Sequence, residues 1–256
     1  MLAIERRNHI LSMLQQDGRV LVSDLSTMFQ VTEETIRRDL EKLEKQGLAK
    51  KTYGGAIIND NVNMDLPYTV RKKANVLSKQ CIAEIISTMI EDGDHIMMDA
   101  SSTAVYVAKH IKNKKNITLI TNSIEILLEL SEVSGWKVFS TGGILKEGSL
   151  SLVGHEAEEM IHNYHVDKAI ISCKGVDLER GITDSNEMEA QIKKLMLQSA
   201  NTKILAVDNS KFDKISFTKI CDLSNIDMVI TDTKLNDKWM EKFNSMKIET
   251  YYKDVK

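Results

Sequence analysis

The chain has 256 residues, enough for two compact domains at about 150 residues each. Hydrophobic residues make up 42% and charged residues 28%, with 12 Gly and one Pro, which is globular composition and excludes collagen-like and broadly disordered chains. Apolar runs are far shorter than the roughly 20 residues that cross a bilayer, and Glu5, Arg6 and Arg7 stand where a secretory signal would be apolar. We therefore expect a cytoplasmic protein.

Net charge and cysteine content limit which partners and which cellular compartment the protein can have. The net charge of -3 provides no bulk attraction to nucleic acid, so any DNA binding must come from cations placed on one face. Cys81, Cys173 and Cys221 are far apart and form no C-x-x-C motif. An odd number without paired spacing indicates neither a disulfide framework nor a thiolate zinc site, and it suits a reducing compartment.

The first sixty residues carry three helical patterns, each bounded by residues suited to helix ends. The predicted elements are a helix over 4–16 stopped by Asp17 and Gly18, a short strand over 19–22, a second helix capped by Ser23 and carrying Leu25, Met28 and Phe29, and a third helix capped by Thr32 and running to Gln46, with Gly47 as its C-cap.

The third helix has an apolar and a polar face. Helical periodicity places Ile36, Leu40 and Leu43 on one narrow stripe that should pack against the other helices. The opposite face and its flanks are polar, with Glu34, Thr35, Arg37, Arg38, Lys42 and Lys45. Two short helices joined by a tight turn, the second with an outward polar face, are typical of a helix-turn-helix.

Residues 48–57 predict a wing, because two short β-type runs flank small residues and carry Lys50 and Lys51, which are placed to meet phosphates. A charged helix face alone is more often only a solvated face. The combination of three short helices in this order with a basic hairpin favours DNA binding.

Several motifs here are similar to a known signature. The stretch V-T-E-E-T-I-R-R-D-L over residues 31–40, followed by L-E at 43–44, G-L at 47–48 and Y-G-G-A at 53–56, resembles the DeoR family of bacterial transcriptional regulators. The resemblance implies a winged helix-turn-helix joined to a sensor domain that binds a phosphorylated sugar. Most members of that family are repressors.

The resemblance also implies roles for residues of the N-terminal domain. Arg38 is the first choice for a base contact, and Arg37 for a base or a phosphate at the groove edge. The full set expected to contact operator DNA is Thr32, Glu34, Thr35, Arg37, Arg38, Lys42, Lys50 and Lys51. Paired half-sites need paired reading heads, so we expect a homodimer or homotetramer. No cofactor is implied.

We place a winged helix-turn-helix domain at 1–57, a linker at 58–78 that holds Pro67, and an α/β effector-binding domain at 79–256. Helical and strand patterns alternate through the last of these, which predicts a mostly parallel sheet. The predicted strands are 95–98, 117–120, 137–139, 168–172, 203–207, 226–230 and 247–251. The family resemblance makes this domain similar to sugar-phosphate isomerases.

Ligands bind such sheets outside the carboxyl ends of the strands, so the strand ends are candidate site segments. They are rich in small, polar and charged residues, at 99–103, 121–123, 141–143, 173–175, 208–211 and 231–232. In the first, Ser101, Ser102 and Thr103 open a helix, where free amides favour phosphate. N-capping alone explains such residues equally well.

Position favours the ligand hypothesis, because D-A-S-S-T at 99–103, I-T-N-S at 120–123 and D-N-S-K at 208–211 resemble DeoR-type sensor motifs. The stretch Ala100-Ser101-Ser102 has no glycine where many relatives have one, which weakens the expectation of a very close backbone approach to phosphate. The candidate effector residues are Asp99, Ser101, Ser102, Thr103, Asn122, Gly142, Gly143, Lys174, Asp184 and Lys211.

Other chemistry is less well supported. Asp184, Glu187 and Glu189 could include a general base, with Lys211 stabilising an enolate, as in an isomerase. Residues 184–186 are more simply a helix cap with both glutamates in its first turn, and catalysis does not explain the N-terminal domain. His155, His162 and His165 lack the accompanying ligand spacing of a metal site. The sequence thus predicts no catalytic residues and no metal.

Overall fold

The computed structural model describes residues 2–45, 48–58 and 67–253. The chain divides into two compact units, Met1–Asn75 and Val76–Lys256. Within the described ranges, no helix is long and apolar enough to cross a membrane. All three cysteines are free thiols.

The N-terminal unit is a bundle of helices with a small antiparallel sheet in strand order β1-β3-β2. Its elements are α1 (Ala3–Asp17), β1 (Arg19–Leu21), α2 (Val22–Phe29), α3 (Glu33–Lys45), β2 (Ala49–Thr52), β3 (Gly55–Ile58) and α4 (Tyr68–Arg71). This order and these boundaries confirm the predicted winged helix-turn-helix. The predicted C-cap Gly47, with Gln46 before it, lies outside the described residues.

Sequence periodicity explains the core of this unit. Ile36, Leu40 and Leu43 are buried along α3, as predicted, and pack with apolar residues of α1 and α2. Gly18, with φ of 75°, adopts the left-handed conformation that ends α1, and its amide donates to Leu14. Gln30 adopts the same conformation at the turn between α2 and α3.

The start of α2 differs from the prediction. Leu21, not Ser23, is its N-cap, and the helix begins at Val22. The Val22 amide donates to the Gly54 carbonyl oxygen at 2.9 Å, so the wing supplies an acceptor that a capping side chain would otherwise provide. Ser23 lies inside the first turn and its hydroxyl donates to Asp24. The cap prediction was wrong because the acceptor comes from a distant segment.

The wing is a hairpin of β2 and β3 that turns at Tyr53 and Gly54, with β1 as a third strand on β3. A Cβ on Gly55 would lie 2.0 Å from the Val20 carbonyl oxygen, so only glycine permits this approach. Within the predicted linker, residues 68–71 form α4, and Val70 packs into the N-terminal core.

The C-terminal unit contains a seven-stranded, fully parallel sheet in the order β15-β14-β12-β9-β4-β5-β6. Its strands are β4 (His95–Met98), β5 (Thr118–Thr121), β6 (Lys137–Ser140), β9 (Val166–Ile171), β12 (Ala200–Ala206), β14 (Met228–Thr231) and β15 (Glu249–Tyr252). Each corresponds to a predicted strand. The α/β class and the mostly parallel sheet are therefore confirmed.

Helices connect these strands. They are α5 (Val76–Met89), α6 (Ser102–His110), α7 (Ile124–Leu130), α8 (His155–His162), α9 (Glu187–Gln198) and α10 (Asp237–Met246). Five short strands were not predicted and form two small antiparallel sheets, β7 (Ile144–Lys146) with β8 (Ser151–Val153), and β10 (Gly175–Asp177), β11 (Gly181–Asp184) and β13 (Thr218–Cys221). These five strands have three or four residues and fall outside the alternation of strands and helices from which the parallel sheet was predicted.

The strand order reverses between β4 and β9. From β4 the chain adds β5 and β6 on one side, and then crosses to β9 and adds β12, β14 and β15 on the other. In open parallel sheets, ligands bind outside the carboxyl ends of the strands at such a switch point. Here that point lies between Asp99, after β4, and Ser172, after β9.

Candidate functional site

Helix α3 presents the predicted polar surface. Thr32, Glu34, Arg37, Arg38 and Lys42 are exposed, and Thr35 is half-buried. The hydroxyl oxygens of Thr32 and Thr35 lie 2.9 Å apart, and the Thr35 amide donates to the Thr32 side chain, which confirms that Thr32 caps the helix.

Both arginines are paired along the helix. Arg37 contacts Glu33 at 2.8 Å and Arg38 contacts Glu34 at 3.3 Å, each one turn earlier. All four side chains are at least half exposed. Exposed pairs of this kind contribute little free energy, so DNA phosphates or base edges can replace the glutamates as partners.

A buried ion-pair cluster fixes α3 on α1. Asp39 accepts from Arg6 at 2.6 Å and from Arg7 at 3.3 Å. Arg6 and Asp39 are both buried. Sequence reasoning did not assign Asp39 this role. The available signal was its position beside the apolar stripe, directly before Leu40.

The wing carries its cations on the surface. Lys50 and Lys51 are exposed, as predicted. The Lys51 amide donates to the Glu44 carboxylate at 2.8 Å, which ties β2 to the end of α3. Tyr53 is fully exposed at the tip of the hairpin. Helix and wing thus form one polar surface with basic groups on both parts.

Asp99 is the centre of the second candidate site, at the switch point of the sheet. It is completely buried, and its two oxygens accept from the Ser101 amide at 3.1 Å and the Ser172 amide at 3.0 Å. Asp99 therefore joins the loops that follow β4 and β9.

Lys193 of α9 was not predicted, yet it bridges two of the predicted residues. Its Nζ lies 2.5 Å from Asp184 Oδ2 and 3.4 Å from Asp99 Oδ2. All three residues are buried. The signal in the sequence was a lysine in line with the apolar residues Ala190 and Leu197 of the same helix.

The pKa values of this cluster follow from burial and charge. Burial alone would raise the pKa of Asp184, but the ammonium groups of Lys193 and Lys174 outweigh it and hold that pKa below its usual range. Burial alone would lower the pKa of Lys193, but Asp184 and Asp99 outweigh it and raise that pKa. Both partners are therefore charged at neutral pH.

The start of α6 contains the helix cap that was one of the two alternatives for its hydroxyl residues. Ser101 is the N-cap, and its side chain accepts from the Ala104 amide at 3.0 Å. Ser102 and Thr103 occupy the first turn, where backbone amides have no intrahelical acceptor. The cap is confirmed, and it leaves first-turn amides for an anion.

Asn122 has an unsatisfied oxygen. It follows β5, whose last residue pairs in register with the last residue of β4, so Asn122 lies beside Asp99. Its Nδ2 donates to the Leu152 carbonyl oxygen at 3.0 Å, while its buried Oδ1 has no hydrogen-bond partner. A buried acceptor without a donor is costly, and a ligand hydroxyl could satisfy it.

The remaining predicted effector residues, two lysines and two glycines, differ in their exposure and in their neighbours. Lys174 and Lys211 are half-buried, and their charges act on Asp184 and Cys173 respectively. Gly142 is exposed and open. A Cβ on Gly143 would lie 2.6 Å from the Val153 carbonyl oxygen, so packing of β8 is itself a reason for this glycine.

The start of α9 confirms the simpler of the two hypotheses for its glutamates. Asn186 is the N-cap, and Glu187 and Glu189 lie in the first turn. Glu189 is nevertheless buried, where it accepts from Ser151 at 2.8 Å and lies 3.9 Å from Lys146. It is thus a structural tie between α9 and the β7–β8 hairpin.

Comparison with known proteins covers both units of the chain. A model of the DeoR-like helix-turn-helix domain matches residues 6–62, and a model of the DeoR C-terminal sensor domain matches 74–233. YulB of Bacillus subtilis, an uncharacterised HTH-type transcriptional regulator, is 39% identical over 97% of this chain and 96% of its own. A putative aga operon transcriptional repressor of Escherichia coli O157:H7 is 36% identical, covering 89% of this chain and 86% of its own.

Among solved structures, ribose 5-phosphate isomerase A of Methanocaldococcus jannaschii aligns with 54% of this chain and 55% of its own, at 18% identity and a TM-score of 0.40. The two curated relatives are named as regulators and not as enzymes. Their likeness extends across both units, and the sensor model alone spans more than half of the residues. The chain belongs to the DeoR family of DNA-binding transcriptional regulators.

Proposed function

We propose that this regulator represses genes of sugar metabolism. A phosphorylated sugar, bound around Asp99 at the rim formed by the carboxyl ends of the parallel strands, changes the regulator's affinity for the operator. The observation that carries the proposal is the start of α6, where first-turn amides lie beside the unsatisfied, buried Asn122 oxygen. Amides suit a phosphate, and a lone acceptor suits a hydroxyl. The similar E. coli protein is named as a putative repressor of the aga operon.

The charge of the rim limits where a phosphate can bind. Asp99 and Asp184 with Lys193 leave one net negative charge, so this cluster does not attract an anion by itself. Lys174 and Lys211 are the cations that would offset it, together with the amides of Ser102 and Thr103. We place the phosphate at α6 and the sugar hydroxyls toward Asn122, Asp99 and Asp184.

The proposed mechanism is linkage between two sites. An effector that favours one assembly geometry lowers the affinity for the operator by its differential binding energy, on the order of 1 to 3 kcal/mol. One helix-turn-helix domain makes few contacts with DNA, so two domains on paired half-sites imply a homodimer or homotetramer.

At the effector site, Gly142 and Gly143 would allow close approach of backbone to the ligand.

Replacing Arg38 by alanine should weaken binding to an operator selected from random DNA by about 10- to 100-fold, because one good base contact contributes about 1 to 3 kcal/mol. Lys45→Ala is the matched control, since Lys45 is also an exposed cation of α3 paired with a glutamate one turn earlier. The Lys45 variant should lose less operator affinity, because recognition helices contact bases with their N-terminal residues. Equal losses for the two variants, measured by gel shift, would exclude Arg38 from base reading.

Lys211→Ala should reduce the response to the effector and leave operator affinity without effector unchanged, because the variant removes a cation from the rim only. The measurement is the effector concentration that half-releases a labelled operator. Lys238→Ala, which removes an exposed lysine of α10, is the control and should respond like the wild type. A normal response of the Lys211 variant would remove this residue from the proposed site.

A further inference from the structure

A cavity of about 450 Å³ lies in the C-terminal unit outside the rim. It is formed by the C-terminal half of α9, by β12, and by β13 with the turn that follows it. None of its lining residues belongs to the candidate effector set. Its volume is within the range of about 300 to 1,000 Å³ that is usual for small-molecule sites.

The lining is basic. Lys194, Lys203 and Lys219 come from three different elements, and Asp222 is the carboxylate among the described lining residues. Lys219 Nζ lies 2.5 Å from Asp222 Oδ1, so this pair is neutral as a whole. Among the described lining residues, the ammonium groups of Lys194 and Lys203 remain as an excess of two positive charges.

The ammonium groups of the three lysines all act on one thiol of the lining. Burial, with Asp222, raises the pKa of the Cys221 thiol to about 12, and all three ammonium groups oppose that shift, so each lies within electrostatic range of the same sulfur. Lys194 and Lys219 are exposed and Lys203 is half-buried. A concave site with an excess of one sign of charge concentrates counter-ions.

We propose that this cavity is a second anion site, which binds a small metabolite with at least two negative charges and an apolar portion. The ammonium groups of Lys194 and Lys203 bind the charged part, while Leu197 and Ile220 provide apolar wall for the remainder. The site is separate from the rim, so its existence does not depend on the proposed sugar effector.

The test is a titration of the full-length chain with inorganic phosphate, followed by backbone amide NMR. We expect saturable shifts at 194–198 and 219–222, and a dissociation constant at least about tenfold weaker in the Lys194→Gln, Lys203→Gln double variant. Lys238→Gln is the control for loss of an exposed lysine and should bind like the wild type.

Shifts that do not saturate, or that persist unchanged in the double variant, would mean an adventitious ion only and would overturn the proposal. Saturable shifts confined to 99–103 and 122 would also overturn it, while leaving the proposed effector site intact. Shifts at the cavity with none at the rim would support the second site even if the sugar-phosphate proposal failed. The two proposals are thus tested separately in one experiment.

Discussion

Replacing Asp39 by asparagine is expected to destabilise the N-terminal unit by about 3 to 5 kcal/mol, because it leaves a buried arginine without its counter-charge. Arg6 and Asp39 are both buried, and Arg7 contacts the same carboxylate. The cluster joins α1 to α3, so the variant should also lose operator binding while the C-terminal unit stays folded.

Hydrogen exchange of the α3 amides measures this effect directly. Trp136 and Trp239 are the two tryptophans of the chain, and both lie in the C-terminal unit, so their fluorescence checks that this unit is unaffected. Glu41→Gln is the control, because Glu41 forms an exposed pair with Lys45 on the same helix and its loss should cause no measurable change. Wild-type protection of α3 in the Asp39 variant would show that the buried pairs do not hold this helix.

Replacing Lys193 by methionine should destabilise the C-terminal unit by about 3 to 5 kcal/mol at neutral pH, because two buried carboxylates lose their shared cation. Urea unfolding followed by tryptophan fluorescence measures it. Lys194→Met is the matched control, since that side chain is exposed on the same helix and its loss should change stability little. Adding Asp184→Asn to the Lys193 variant should recover part of the loss.

The deficit of the Lys193 variant should shrink as the pH falls. In the wild type, the depressed pKa of Asp184 contributes stability above the unfolded value of about 3.9, and this is lost as the pH falls through the folded pKa. In the variant, we expect burial to raise that pKa above the unfolded value, because Lys193 no longer opposes it. The variant is then relieved of its penalty as Asp184 gains a proton, whereas a deficit that is constant from pH 7 to 4 would contradict this account.

The sequence predicted the features that follow from a repeating hydrophobic pattern or from the order of elements along the chain. The buried stripe of α3 and the seven strands of the parallel sheet each have a period or a length that can be read locally. The strand-end rule then predicted that Asp99 and Asn122 lie at the same edge of the sheet, and in the structure they follow neighbouring strands. Both predictions rest on features that are close together in the chain.

The remaining features depend on residues that are far apart in sequence. Lys193 and Asp99 are separated by almost a hundred positions, and a lysine within an apolar stripe does not name its partner. The Val22 amide donates to the Gly54 carbonyl oxygen of the wing, and this contact replaces the predicted cap at Ser23. It too joins residues that are far apart in sequence. Asp39 resembles Lys193 in this respect, because its burial follows from where Arg6 arrives in three dimensions.

The rim of the C-terminal unit is proposed to bind a phosphorylated sugar. The most direct measurement is thermal unfolding, followed by tryptophan fluorescence, against a panel of sugar phosphates and their unphosphorylated parents, because a ligand of the native state raises its melting temperature. We expect the melting temperature to rise with one phosphorylated compound, not to rise with its parent sugar, and to rise less in Lys211→Ala. A rise with the parent sugar alone, or no rise with any phosphorylated compound, would contradict this proposal.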